Sequence, residues 1–185
     1  MSLFTLHSNY KLYFVLMLFF AFVGCQAKQY DQLVNDLVRE GNAMIEQDAL
    51  ITSQWKAEFI KTFTPENRAK FPSNRDELRS SAENQIRLLE QQIVLRSGAA
   101  DKFEQGSRIS KNEKEKKFTS LFAASFRKDA EVSQIFKEQT NLVLDSNIND
   151  LQTFEARFKE LTQKAEMKIK ERDDMQTEAK KILGK

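Results

Sequence analysis

The segment LQTFEARFKELTQKAEMKIKERDDMQTEAKKI, residues 151–182, decides how this chain folds. Leu151, Phe154, Phe158, Leu161, Ala165, Lys168, Arg172, Met175, Ala179 and Ile182 recur at alternating spacings of three and four. That alternation holds one stripe of a helix against a neighbour and is the seam of left-handed helix packing. The stripe is mostly apolar, with Lys168 and Arg172 interrupting it near the middle. The spacing predicts a helix from about Asp150 to Leu183, laid lengthwise against other helices.

The rest of the chain supplies three partners of similar length. Upstream of Asp150, Ser146-Asn147-Ile148-Asn149 is a turn-and-cap cluster. Before it, Phe118, Leu121, Phe122, Ser125, Asp129, Val132, Phe136, Gln139 and Val143 share one helical face, which predicts a helix running to about Asp145. Asn112 is its expected cap, and Glu113 and Glu115 in the first turn suit the positive end of the helix dipole.

Leu78, Ala82, Ile86, Leu89, Ile93, Ala100 and Phe103 mark a further helix from about Asn74 to Ser107, capped by Ser73 and fraying at Gly106. The first helix runs from Lys28 to about Thr62, with Tyr30, Leu33, Val34, Leu37, Val38, Gly41, Met44, Ile45, Asp48, Ile51, Trp55 and Phe59 on a stripe that continues to Phe63. Thr64-Pro65 stops it, because a proline pushes the preceding residue out of the helical region. Glu66 to Lys70 suits one helical turn before the second break at Phe71-Pro72.

No stretch alternates with the period of a strand. Four long helices joined by short connections make antiparallel neighbours. The expectation is an all-α, elongated antiparallel four-helix bundle over residues 30–185, with an open pair of helical hairpins as the other arrangement. The polar interruptions of the stripes then fall level. Asp129 lies 19 residues before Ile148 and Lys168 lies 20 after it. The first helix runs antiparallel to the last, so Asp48 reaches a similar height. A mid-bundle charged layer of Asp48, Asp129, Lys168 and Arg172 is expected, with Asp129 facing Lys168 or Arg172. The plainer alternative is that Lys168 and Arg172 extend their stems past the core edge into water.

Ahead of the bundle, residues 1–24 have the parts of an export signal: Lys11, then the unbroken apolar run Leu12–Val23, then the small residue Gly24. The run is shorter than the ~20 residues a spanning helix needs. The sole cysteine, Cys25, follows at once. Phe22-Val23-Gly24-Cys25 resembles the lipobox of bacterial lipoproteins, although Phe22 stands where that family usually carries leucine.

The resemblance covers the first 25 residues. It implies cleavage between Gly24 and Cys25, a diacylglyceryl group on the Cys25 sulfur and, in many bacteria, an N-acyl chain. Two or three chains anchor stably, at ~0.8 kcal/mol per buried CH₂. Residues 25–29 would then form a lipidated tether. In Gram-negative members an aspartate after the cysteine favours the inner membrane, so Gln26 points to the outer membrane. Cleavage by ordinary signal peptidase after Ala27, or retention of the run as an anchor, are the alternative readings.

Composition narrows the function. The formal charge of +2 falls to about +1 without Lys11. This balance lacks the clustered basic excess of a nucleic-acid binder. The only histidine, His7, lies in the signal. No Ser-His-Asp or Cys-His nucleophile, Cys/His zinc site or Glu-x-x-His di-iron motif can then be assembled in the usual form. The carboxylate pairs Asp173-Asp174 and Glu113-Glu115 are expected to be solvated helix faces, and the mixed-sign run Lys111–Lys117 a solvated turn, with contact to anionic lipid or lipopolysaccharide as the alternative.

The sequence therefore predicts a non-enzymatic, membrane-anchored envelope lipoprotein with no cofactor or metal. It would act as a scaffold or interaction module for another protein. The alternative is a helical carrier that opens to hold an apolar ligand or an unfolded client.

Overall fold

The computed structural model describes residues 30–182. Residues 1–29, on which the expected signal segment (1–24) and the expected tether with Cys25 (25–29) fall, and residues 183–185 lie outside the described residues. The chain forms α1 (Tyr30–Thr62), α2 (Pro65–Ala69), α3 (Arg75–Ile109), α4 (Glu113–Asn141) and α5 (Leu151–Ile182), with no strand among the described residues. Each long helix spans roughly 45–50 Å at 1.5 Å per residue. Their backbones come close along three successive seams, α1–α3, α3–α4 and α4–α5, giving an antiparallel four-helix bundle. α1 and α5 close the fourth side through side chains rather than a backbone seam of that kind. At one end Val34, Val38 and Ala179 share a core cluster. At the other, the Phe63 and Phe158 rings lie 5.2 Å apart.

The helix ends follow from local chemistry. α1 stops at Thr62, and Thr64 then caps α2, its hydroxyl accepting from the Asn67 amide at 3.0 Å. Asn112 caps α4 by accepting from the amides of Lys114 and Glu115. Asp150 heads α5, accepting from the Thr153 amide and hydroxyl, both at 2.8 Å.

Three sequence expectations need correction. Ser73 does not cap α3: Asn74 precedes the first turn, and the Ser73 hydroxyl instead donates to the Lys70 carbonyl. Gly106 does not fray α3, which continues to Ile109; it is buried against α1, where a Cβ would make ordinary contact with Val34 Cγ1 at 3.8 Å. α4 ends at Asn141 rather than near Asp145. Leu142, Val143 and Ile148 all join the end core, and the chain turns sharply to bury them.

The interior is two apolar ends separated by a middle that is partly polar. Around the start of α1, Val34, Val38, Ile45, Ala99, Ala100, Phe103, Phe118, Phe122, Ala123, Phe126 and Ala179 pack together. At the far end Phe63, Phe71, Ala82, Leu142, Val143, Ile148, Phe154 and Phe158 do so, with Phe71 and Phe154 stacked at 4.2 Å. Between them Trp55 packs on Leu88 and Leu89, its ring 4.8 Å from that of Phe136.

On α3 the expected stripe is buried at Ala82, Leu89, Ala100 and Phe103 and is displaced by one position at two points. Ile86 and Ile93 are half-buried at the flanks, while Gln85 and Gln92 are buried. Each amide finds a partner across a seam. Gln85 Nε2 donates to Thr62 Oγ1 at 2.6 Å, and Gln92 Oε1 accepts from Ser133 Oγ at 3.0 Å. Gln139 on α4 behaves alike, its Nε2 donating to Thr162 Oγ1 at 2.8 Å.

Candidate functional site

The polar middle draws on all four long helices. α1 contributes Asp48 and Thr52, α3 Gln92 and Arg96, α4 Asp129 and Ser133, and α5 Arg172. Arg172 donates from Nη1 to Asp129 Oδ1 at 2.8 Å, and the two side chains are 12% and 9% exposed. Arg172 also reaches outward to Asp173, donating from Nε at 2.9 Å and from Nη2 at 2.7 Å.

Asp48 meets a residue that the sequence reading passed over. Arg96 Nε donates to both Asp48 oxygens at 3.0 Å. The rest of its guanidinium is used too: Nη2 donates to Thr52 Oγ1 at 3.0 Å, and Nη1 donates to Ser133 Oγ at 2.7 Å and to the Asp129 carbonyl at 3.0 Å. Arg96 was legible in principle. Counting back from Phe103 in alternating steps of four and three gives Ala99, Arg96, Gln92, Leu89, Gln85 and Ala82. A reading weighted by hydropathy discards that seam because most of it is polar or small.

Lys168 is the member that does not belong. It leaves the seam for the surface, 3.0 Å from Glu131 and 3.3 Å from Glu171, with Lys128 bridging the same carboxylates. One turn farther along α5, Arg172 has the longer, planar head that reaches Asp129. Of the four residues expected in the layer, Asp48, Asp129 and Arg172 lie inside it and Lys168 outside. Ser125 is buried but bonds only locally, to the Phe122 carbonyl at 2.9 Å.

The electrostatics follow the geometry. Burial pushes the Asp48 carboxyl above the usual aspartate value; Arg96 offsets this in part, and the neighbouring Asp129 charge adds to the rise. Burial opposes the charge on Arg172, but Asp129 and Asp173 outweigh it and hold the guanidinium above its ordinary value. Lys56, at the layer's edge, is held low by burial and then by the charges of Arg96 and Arg172. The half-buried Lys168 is held high, chiefly by its hydrogen bond to Glu131.

Two carboxylates and two guanidiniums therefore balance within the interior. A guanidinium keeps its proton under any ordinary condition. The layer is suited to fixing helix register and selecting this pairing over others, the best-attested role of buried ionic groups.

The other pairs from the sequence lie at the surface. Glu113 is 3.9 Å from Lys116, and Glu115 accepts from Ser110 Oγ at 2.6 Å. Among the described residues no group of three or more His, Cys, Asp or Glu side chains is placed to hold a metal ion, and no helix is long and apolar enough to cross a membrane.

Exposed large apolar residues occur singly on α3 and along α5, as Val94 and Met167, and on α1 two of them share one face. Ala43, Glu46, Leu50, Ser53, Ala57 and Ile60 are all exposed and repeat the alternating spacing of three and four. Leu50 is 69% and Ile60 53% exposed, and Glu46 is the single charge among the six. The outer face of α5 is dense with charge by contrast: Arg157, Lys159, Glu160, Lys164, Glu166 and Lys170 all face solvent. No family model, curated protein or solved structure matches this chain.

Proposed function

We propose that this protein is a non-enzymatic lipoprotein of the bacterial envelope, anchored through Cys25, whose bundle serves as an interaction module for a second envelope protein. The observation that carries the interaction reading is the outer face of α1. Its six positions form a second helix-packing seam on the outside of the bundle, with the spacing of the inner seam. Leu50 and Ile60 are the large apolar residues of that row, and a helix laid along it would bury both. The occupant is a helix of the partner protein. The spacing suits helix-on-helix packing, and the near absence of charge suits an equally uncharged stripe opposite. The anchor rests on Phe22-Val23-Gly24-Cys25. The internally matched charges of Asp48, Arg96, Asp129 and Arg172 support a structural rather than a catalytic role for the interior. Diderm placement in the outer membrane follows from Gln26.

Photo-cross-linking in intact cells tests the module. A cross-linker at Leu50 or Ile60 is expected to give a discrete adduct, lost when the other of the two is changed to lysine. The same adduct from a cross-linker at Lys159 on α5 would count against it.

One observation favours a second reading, a carrier of apolar ligands. α1 and α5 close their side of the bundle through side chains, so that side is the natural place for opening. A carrier would bind a hydrophobic dye while cooperatively folded; a closed module would not.

A further inference from the structure

We infer that the end of the bundle bearing the start of α1 docks on the bilayer through lysines at the α3–α4 turn, which bind the anionic headgroups of phospholipids. This rests on the Cys25 anchor reading. Five residues, Cys25 to Gln29, separate the anchor from α1. Fully extended they reach at most ~17 Å, at 3.3–3.6 Å per residue. Whatever shares that end of the bundle is held beside the headgroups.

The packing identifies what shares it. Val34, Phe103, Phe118 and Ala179 lie in one cluster, with Ile109 and Ile182 packed on it. The start of α1, the α3–α4 turn and the end of α5 are therefore at one tip. Lys117 of α4 is 3.0 Å from Glu178 of α5, tying the last two together.

From Arg108 to Lys117 the chain has five basic residues, Arg108, Lys111, Lys114, Lys116 and Lys117, and two acidic ones, Glu113 and Glu115. α5 adds Lys180 and Lys181 beside Glu178. All four lysines of the turn are exposed. Two acids on the α1 side are matched: Asp36 lies 2.9 Å from Arg39, and Glu40 lies 2.6 Å from Lys102.

The helix dipoles do not explain the field, because two helices start and two end at this tip and their ends oppose one another. Of the two connections at the far tip, Leu142–Asp150 has Asp145 and Asp150 and no basic residue, whereas Lys61–Arg75 has Lys61, Arg68, Lys70 and Arg75 against Glu66. Juxtamembrane lysines gain from an anionic surface only within about a Debye length, ~8 Å at physiological salt, so the short tether is what makes these lysines effective.

The test uses the full-length lipidated chain in proteoliposomes of phosphatidylcholine with or without phosphatidylglycerol, each containing a headgroup-quencher lipid. Cysteine replaces Thr177 near the docked tip or Ala156 at the far end, and carries a fluorophore. The Thr177 probe is expected to be quenched in the anionic vesicles and to recover as salt is raised. The Ala156 probe is expected to stay bright. Changing Lys111, Lys114, Lys116 and Lys117 together to glutamine should lower the docked fraction at least tenfold. The salt titration of the parent decides the matter even if that variant folds poorly.

Equal quenching of Thr177 with and without phosphatidylglycerol overturns the inference while leaving the anchor intact, provided intact mass shows acyl chains on Cys25. Absence of those chains overturns both.

Discussion

Replacing Arg172 by leucine is expected to be the most damaging single change in the charged layer. Asp129 is 9% exposed, and its carboxylate receives the 2.8 Å bond from Arg172. Arg96 donates to the Asp129 backbone carbonyl, and the neighbouring Asp48 has the same sign. Without Arg172, Asp129 keeps a buried charge beside a like charge. Breaking a buried pair from one side costs ~3–5 kcal/mol.

The reverse change, Asp129→Leu, leaves Arg172 with Asp173, whose side chain is 48% exposed, so ~2–3 kcal/mol is expected for it. The double variant Asp129→Leu/Arg172→Leu removes both charges and should fall within ~1 kcal/mol of the parent or above it. For a chain of this size ~1 kcal/mol moves Tm by ~2–4 °C, so Arg172→Leu alone should melt ~10 °C lower. Urea melts of the three variants give the coupling. An Arg172→Leu variant that melts with the parent, or a double variant whose loss equals the sum of the singles, would refute the reasoning.

The remaining predictions need only thermal and urea melts. A Cβ on Gly41 would sit 2.9 Å from Cε2 of the buried Phe103, so Gly41→Ala should cost ~1–3 kcal/mol, whereas Gly106→Ala, with Val34 at 3.8 Å, should gain ~0.5–1 kcal/mol from helix propensity; equal and opposite ranking would overturn the packing. Burial raises the Asp48 carboxyl, so its protonated form is favoured in the fold, and its contribution to stability shrinks as pH rises from the ordinary aspartate value toward neutrality. The Tm of the parent relative to Asp48→Asn should therefore fall between pH 4 and pH 7, and a rise would show the opposite shift. Lys168→Gln, outside the layer, should change stability by no more than ~0.5 kcal/mol; a loss like that of Arg172→Leu would place Lys168 inside it.

The sequence carried the architecture because helix period, caps and prolines are local signals. The spacing on α5 and the pairs Thr64-Pro65 and Asn112-Glu113 each specify an element without reference to the rest of the fold. Level polar interruptions on antiparallel helices were enough to bring Asp129 and Arg172 to one height. What escaped was decided by partners. Nothing local marks Gln85, Gln92 or Gln139 as interior, because an amide enters the core only where a hydroxyl waits across the seam. Arg96 escaped for the same reason, and it displaced Lys168 as the second cation. Ser73 lost the cap of α3 because the Phe71-Pro72 turn directs its hydroxyl back to Lys70.

The intact mass of the protein extracted from a bacterial membrane fraction tests the anchored-module account most directly. The account predicts a chain beginning at Cys25, lacking residues 1–24, with the added mass of a diacylglyceryl group, and no acyl label on a Cys25→Ala variant. A chain that begins after Ala27, or that retains residues 1–24 with an unmodified Cys25, would contradict it.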